Sequence, residues 1–342
     1  MTVRIPERNR KAGVCYAVTD DGIELPVIDI THPAFSCEVS AAELSAIIDA
    51  SLSAVEGAAR MPDSVRRSLA ASSILARGWL EASGTFMTGM MTYLNRLGPD
   101  NLGEGYAGRV DRWMAATVAP LSFRFRLRDV ARLAADGLAP ALRARKDGPL
   151  HLLNIGGGPA ADSLNALILL RGEHPEWLRG RRISIHVLDL DAEGPHFGAR
   201  ALAALAAEGA PLAGATATLR HVEYNWADPS GLRQAIAEIE PGAVVAGSSE
   251  GGLFDYGTDG EIVANLGVLR DGTPDDFVMT GSVVRDENSM DPRLRATTRA
   301  AGMPAIRYLG LEAFSRLAGR AGWVVDRVID SLAHHTVSLK KA

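Results

Sequence analysis

Apolar and polar positions follow two rhythms along this chain, and the change falls near residue 150. In the second half, short apolar runs alternate with segments whose apolar residues recur at helical spacing. "LHLLNI" is followed by "ADSLNALILLRG", "RISIHVLDLD" by "FGARALAALAAEG", and "ATLRHVEYN" by "PSGLRQAIAEI". "AVVAGSS", "DGEIVANLGVLRDG", "DFVMTGSVV", "LEAFSRLAGRAG", "WVVDRVID" and "HHTVSLKK" continue the series. Seven strands are predicted. Their alternation with helices predicts an α/β fold, a seven-stranded doubly wound Rossmann-like sheet whose ligand sits past the C-terminal ends of the central strands. Only "SLA" joins the last two strands, too short for a helical crossover, so the final strand is predicted antiparallel to its neighbour.

The first half is mostly helical. "GVCYAVTDDGIELPVIDI" reads as a β-hairpin, with apolar residues on both sides of a tight turn at Asp21-Gly22. Helical spacing then covers 40–60, 62–83, 85–97, 104–117 and 122–142, with breaks at "MPDS", "SG", "GPDNLGEG" and "APLS". "RARKDGP" is a polar, proline-ended connector. Residues 1–148 are therefore expected to form a helical lid or dimerisation region, and 149–342 a ligand-binding domain.

Composition narrows the partners. With 342 residues, 47% of them apolar and 23% charged, the chain reads as globular, and its formal net charge of −5 argues against nucleic acid or an anionic membrane as a partner. A small-molecule substrate is expected instead. No signal peptide opens the sequence, and "LNALILL" is too short to span a bilayer, so the expected location is cytoplasmic. Cys15 and Cys37 are too few for a disulfide framework or a cysteine-built zinc site, and no metal is expected.

The candidate chemistry starts at "LHLLNIGGGPAADSL", where a strand runs into three glycines and then a helix. That order brings backbone N–H groups and a helix N-terminus close to a nucleotide-like ligand. An acid, Asp189, ends the second predicted strand, and the terminal hairpin closes the series. In this conjunction residues 148–342 resemble the class I S-adenosylmethionine-dependent methyltransferases. The resemblance implies S-adenosyl-L-methionine as cosubstrate or sole substrate. Asn154, Gly156 and Gly158 fall in the frame of the family's acidic-x-Gly-x-Gly motif, with Gly157 between the glycines and an asparagine in place of the usual acid. Asp189 stands in the frame of the acid that takes the ribose hydroxyls, with Asp191 two places on; Asn225 matches the adenine-pairing position, and Trp226 offers a stacking surface. An acid after the second strand also fits a nicotinamide cofactor.

Within the resemblance, "AGSSEGGLFDYG" borders the reacting sulfonium. Ser248, Ser249, Glu250 and Tyr256 are the candidate catalytic residues, Ser248 also touching cofactor, and the rings of Phe254 and Tyr256 suit a cation. Elsewhere, Tyr106, Val110 and Trp113 share a helical face that reads as core. "FRFRLR" at 123–128 reads as a solvated basic edge, with an anion clamp as the alternative. His334 and His335 are expected to be structural and far from the cofactor. Methyl transfer to a small molecule in specialised metabolism is the leading expectation. The alternative is closure of the cofactor's methionine arm to azetidine-2-carboxylic acid, as in azetidine-2-carboxylate synthases, and a third reading is a non-catalytic cofactor-binding protein. A homodimer through the N-terminal helices accompanies these readings.

Overall fold

A computed structural model describes residues 2–82, 86–103, 106–300 and 306–342. The N-terminal part contains β1 (Tyr16–Val18) and β2 (Glu24–Pro26), then α1 (Ala41–Ala59), α2 (Asp63–Ser72), α3 (Ile74–Glu81), α4 (Gly89–Arg96), α5 (Arg109–Ala115) and α6 (Val118–Ala144). There follow β3 (Leu150–Ile155), α7 (Ala161–Glu173), α8 (Pro175–Leu178), β4 (Arg182–Asp189), α9 (Glu193–Leu205), β5 (Thr216–Glu223) and α10 (Ser230–Ala237). β6 (Val244–Ser249), α11 (Leu253–Tyr256), α12 (Asp259–Gly272), β7 (Val278–Val284), α13 (Pro292–Ala300), α14 (Gly310–Arg320), β8 (Trp323–Asp330) and β9 (His334–Lys341) complete the chain.

The seven predicted strands form one sheet in the order β5-β4-β3-β6-β7-β9-β8. β3 to β7 are parallel, and β9 runs antiparallel to both β7 and β8, as the short "SLA" connection requires. Every residue of β3 and β6 is buried, because helices cover both faces of the central strands. Successive side chains serve opposite faces. Leu150, Leu152, Val244 and Ala246 pack with α6, α7 and α9, whereas Leu153, Ile155 and Val245 pack with α10, α12 and α14.

The hairpin and the early helices join the first of these two cores, where Leu25, Tyr93 and Leu97 pack with Leu164 and Phe197. Asn165 of α7 fastens them. It donates to the Ile28 carbonyl at 3.0 Å and accepts from the Ile30 N–H at 2.8 Å. Tyr93 adds a second tie, donating to the Pro26 carbonyl at 2.8 Å.

Several sequence expectations need correction. The span 62–83 is two helices, α2 and α3, broken at Ser73, whose hydroxyl caps α3 by accepting from the Ala76 N–H. α6 begins at Val118 rather than 122, because Pro120 falls in the first turn, where no intrahelical N–H is needed. Trp113 is 56% exposed and not core, although Tyr106 is buried. α13 had no sequence signal. The predicted "SG" break and the predicted helix starts at 85 and 104 fall on residues 83–85 and 104–105, outside the described residues.

Candidate functional site

The glycine turn between β3 and α7 is built from unusual backbone conformations. Gly156 and Gly158 have φ values of 62° and 51°, and Ala160 follows at 54°. Left-handed backbone is easy for glycine and costly for most other residues. Space restricts the turn further. A Cβ on Gly157 would lie 1.1 Å from Asn154 Oδ1, and one on Gly158 would lie 2.6 Å from the Cα of Gly89 in α4. Gly194 presses on Gly158 from α9 in the same way. The turn is thus clamped between two other glycines, which brings the start of α4 directly over the C-terminal edge of the sheet.

Under that edge lies a cavity walled by the glycine turn, by Leu188 to Asp191 after β4, by Tyr224 and Trp226 after β5, by Glu250 to Gly252 after β6, and by residues 86–89 with Thr92 and Arg96. Asp189 reaches it from the end of β4. Its carboxylate accepts from the Gly158 N–H at 2.8 Å and from the Asp191 N–H at 3.1 Å, and burial raises its pKa. Asp191 lines the same wall and accepts from the Glu193 N–H.

The aromatic wall is formed by Trp226, Phe86 and Tyr256, with the Phe86 ring 6.5 Å from that of Trp226 and 6.3 Å from that of Tyr256. Burial pushes the Tyr256 hydroxyl up to about 12, so it stays protonated at neutral pH. Tyr224, which sequence reasoning missed, donates to Asn265, and Asn265 in turn donates to the Trp226 carbonyl at 2.8 Å.

Glu250 forms the floor. Its carboxylate is gripped by two guanidinium groups, Arg96 from α4 and Arg126 from α6, and all three side chains are at least nine-tenths buried. Arg126 also donates to Asp255 at 3.3 Å and lies 3.3 Å from the His334 ring. Burial raises the Asp255 carboxyl to about 7, against the pull of Arg126, and burial holds His334 well below the usual imidazole range. The "FRFRLR" stretch is therefore helical, and its Arg126 is buried and clamps a carboxylate of the chain itself. His334 also departs from expectation. β8 runs parallel with β7, so the turn into β9 returns the chain to the C-terminal edge, opposite Val284 and beside this floor.

Other candidates are placed differently. Asn154 is fully buried beneath the turn, its Nδ2 within 2.6 Å of Asp162, 3.1 Å of Ser163 and 3.1 Å of Ser248, while its Oδ1 has no partner. Ser249 lies outside the cavity wall; its hydroxyl donates to the Ile155 carbonyl and accepts from the Leu253 N–H, both at 2.9 Å. Phe254 is buried against Phe314, away from the cavity. Asn225 is exposed, and its Oδ1 accepts from the Ala227 N–H at 3.0 Å. No group of three His, Cys, Asp or Glu side chains among the described residues is arranged to hold a metal ion, and no helix among them is long and apolar enough to cross a membrane.

No family model matches the sequence, and no curated protein matches it. Solved structures do. A possible exported protein from Bordetella parapertussis matches over 89% of this chain and 97% of its own, at 15% identity and a TM-score of 0.53. The mitomycin 7-O-methyltransferase MmcR matches 68% of this chain and 58% of its own at 15% identity and a TM-score of 0.39. The pyocyanin biosynthetic protein PhzM matches the same shares at 16% identity and a TM-score of 0.41. The chain thus spans less than two thirds of the length of these last two. Likeness at such identity concerns the fold alone, and the fold is the α/β architecture with an antiparallel last strand that the class I methyltransferase resemblance implies.

Proposed function

We propose that the chain is an S-adenosylmethionine-dependent transferase acting on a small molecule, most directly by methyl transfer, in specialised metabolism. The observation that carries this reading is Asp189. It is a carboxylate at the end of the strand next to the glycine turn, facing a cavity and held only by two backbone N–H groups. A carboxylate has about four lone-pair sites, so two remain to accept from a vicinal diol such as a ribose.

When bound, S-adenosylmethionine supplies a sulfonium whose attached carbons are open to nucleophilic attack. The chain's residues bind and orient. Gly156, Gly157, Gly251 and Gly252 leave backbone exposed to the cavity, and the Trp226, Phe86 and Tyr256 rings provide π faces for a cation. Residues 86–89, leading into α4, form part of the cavity wall. Rate then comes mainly from holding two reactants in line.

Ring closure to azetidine-2-carboxylic acid is the second reading, and the β6 side of the cavity favours it. Glu250 there is already paired with Arg96 and Arg126, so its charge is not free to hold the cofactor's amine in the protonated, non-nucleophilic form. The amine would attack the γ-carbon, the carbon–sulfur bond would break, and methylthioadenosine would leave as the amine loses a proton. Incubation of the purified protein with S-adenosylmethionine alone, followed by mass spectrometry, separates the readings. Intact cofactor supports transfer to an external acceptor, and methylthioadenosine with the ring-closed amino acid supports cyclisation. A homodimer through the N-terminal helices accompanies either reading. It is supported by the exposed Val65, Leu80 and Trp113 and is testable by light scattering.

A further inference from the structure

A second cavity, of ≈ 340 Å³, lies between the segment after β2 and helix α6. Arg96 belongs to the walls of both cavities. Two more guanidinium groups, Arg124 and Arg128, line the second one, and the acid in that wall, Glu38, is exposed.

The charges do not balance. Arg96 is paired with Glu250, and Arg128 donates to Asp129 at 2.8 Å. Arg124 has no carboxylate within 4.0 Å among the described residues; it donates to the Ser36 carbonyl, and its Nε is buried without a hydrogen-bond partner. Arg96 Nε, on a side chain only 4% exposed, is likewise without a partner. A buried donor on a charged group is costly to leave unsatisfied, and a planar guanidinium is shaped to take a carboxylate. Burial also lowers the pKa of Arg124, a cost that a bound anion would relieve.

We propose that this second cavity binds a carboxylate-bearing small molecule on Arg124, and that this molecule is the acceptor substrate, held where the walls of the two cavities meet at Arg96. The acceptor role rests on the transferase reading above; the anion site rests on Arg124.

4-Fluorobenzoate and its neutral counterpart 4-fluorobenzamide, followed by fluorine NMR line width, test it on the full chain, with succinate as competitor. The acid binds and is displaced by succinate, the amide does not bind, and Arg124→Gln weakens the acid by about tenfold or more. Arg124→Lys recovers part of that loss, and S-adenosylhomocysteine binding is unchanged in both variants, which shows that they fold. Equal binding of acid and amide, or of acid to wild type and Arg124→Gln, overturns the site. Arg124-dependent acid binding in a chain that does not bind S-adenosylhomocysteine keeps the anion site and removes its role as acceptor pocket.

Discussion

Asp189 and Glu250 face the same cavity from opposite sides, and their surroundings differ in kind. Asp189, on the β4 side, touches only backbone N–H groups of the glycine turn and the following loop. Glu250, on the β6 side, is enclosed by Arg96 and Arg126, with Asp255 and His334 behind them. The first retains lone pairs for a ligand, and the second has its charge already matched. Residue type alone does not separate a carboxylate with lone pairs to spare from one already neutralised; the neighbours do. A consequence is that damage to the two sides is read out differently, as lost affinity on one and lost stability on the other.

The largest expected effect is on the Glu250 side. Glu250→Ala leaves two buried guanidinium groups facing each other and is expected to cost about 3–5 kcal/mol in urea unfolding, while Asp189→Asn, which turns one acceptor oxygen into an NH2 against a backbone N–H, costs about 1–2 kcal/mol. Equal losses would erase the distinction. Next comes Gly157→Ala, whose added methyl displaces the Asn154 side chain from Asp162, Ser163 and Ser248. A loss of about 1–3 kcal/mol is expected, together with weaker cofactor binding, since Gly157 itself lines the cavity.

A pH series extends the contrast to the interior of β4. His186 lies against His151 and Arg220 on the sheet, and burial, then Arg220, lowers its pKa to about 4. The unfolded chain therefore binds its proton first as pH falls below 6.5, and stability declines from there down towards 4, by about 2 kcal/mol at pH 5. His186→Asn should be less stable at pH 7 yet lose less between pH 7 and 5. An unchanged pH slope in thermal melts would contradict the assignment. Smallest is the aromatic wall. Tyr256→Phe should leave S-adenosylmethionine affinity nearly unchanged, and Tyr256→Ala should lower it by about 0.5–2 kcal/mol, measured by calorimetric titration.

Much of the fold was legible because its signals are local. Period-two strands, the three glycines before α7 and the three-residue link before β9 each act over a few residues. The turn side of the cavity shares this property: Gly156, Gly157, Asp189 and Trp226 all follow directly from strand ends. Arg96 and Arg126 do not. On a helix surface an arginine looks the same in sequence whether it meets water or a carboxylate 124 residues away, as Arg126 meets Glu250. His334 was misplaced for a different reason, since the direction of the final hairpin decides which edge of the sheet its turn occupies. Asn225 shows what a motif position leaves open: its side-chain oxygen accepts from its own loop, a bond that the motif does not signal.

Calorimetric titration of S-adenosylhomocysteine into the wild-type chain and the Asp189→Ala variant tests the central claim most directly. One molecule bound per wild-type chain, weakened about tenfold to a hundredfold in a variant that still unfolds cooperatively, is the result predicted here. No binding to the wild type, or the same affinity in both, would contradict the assignment of Asp189 and of the cavity it faces.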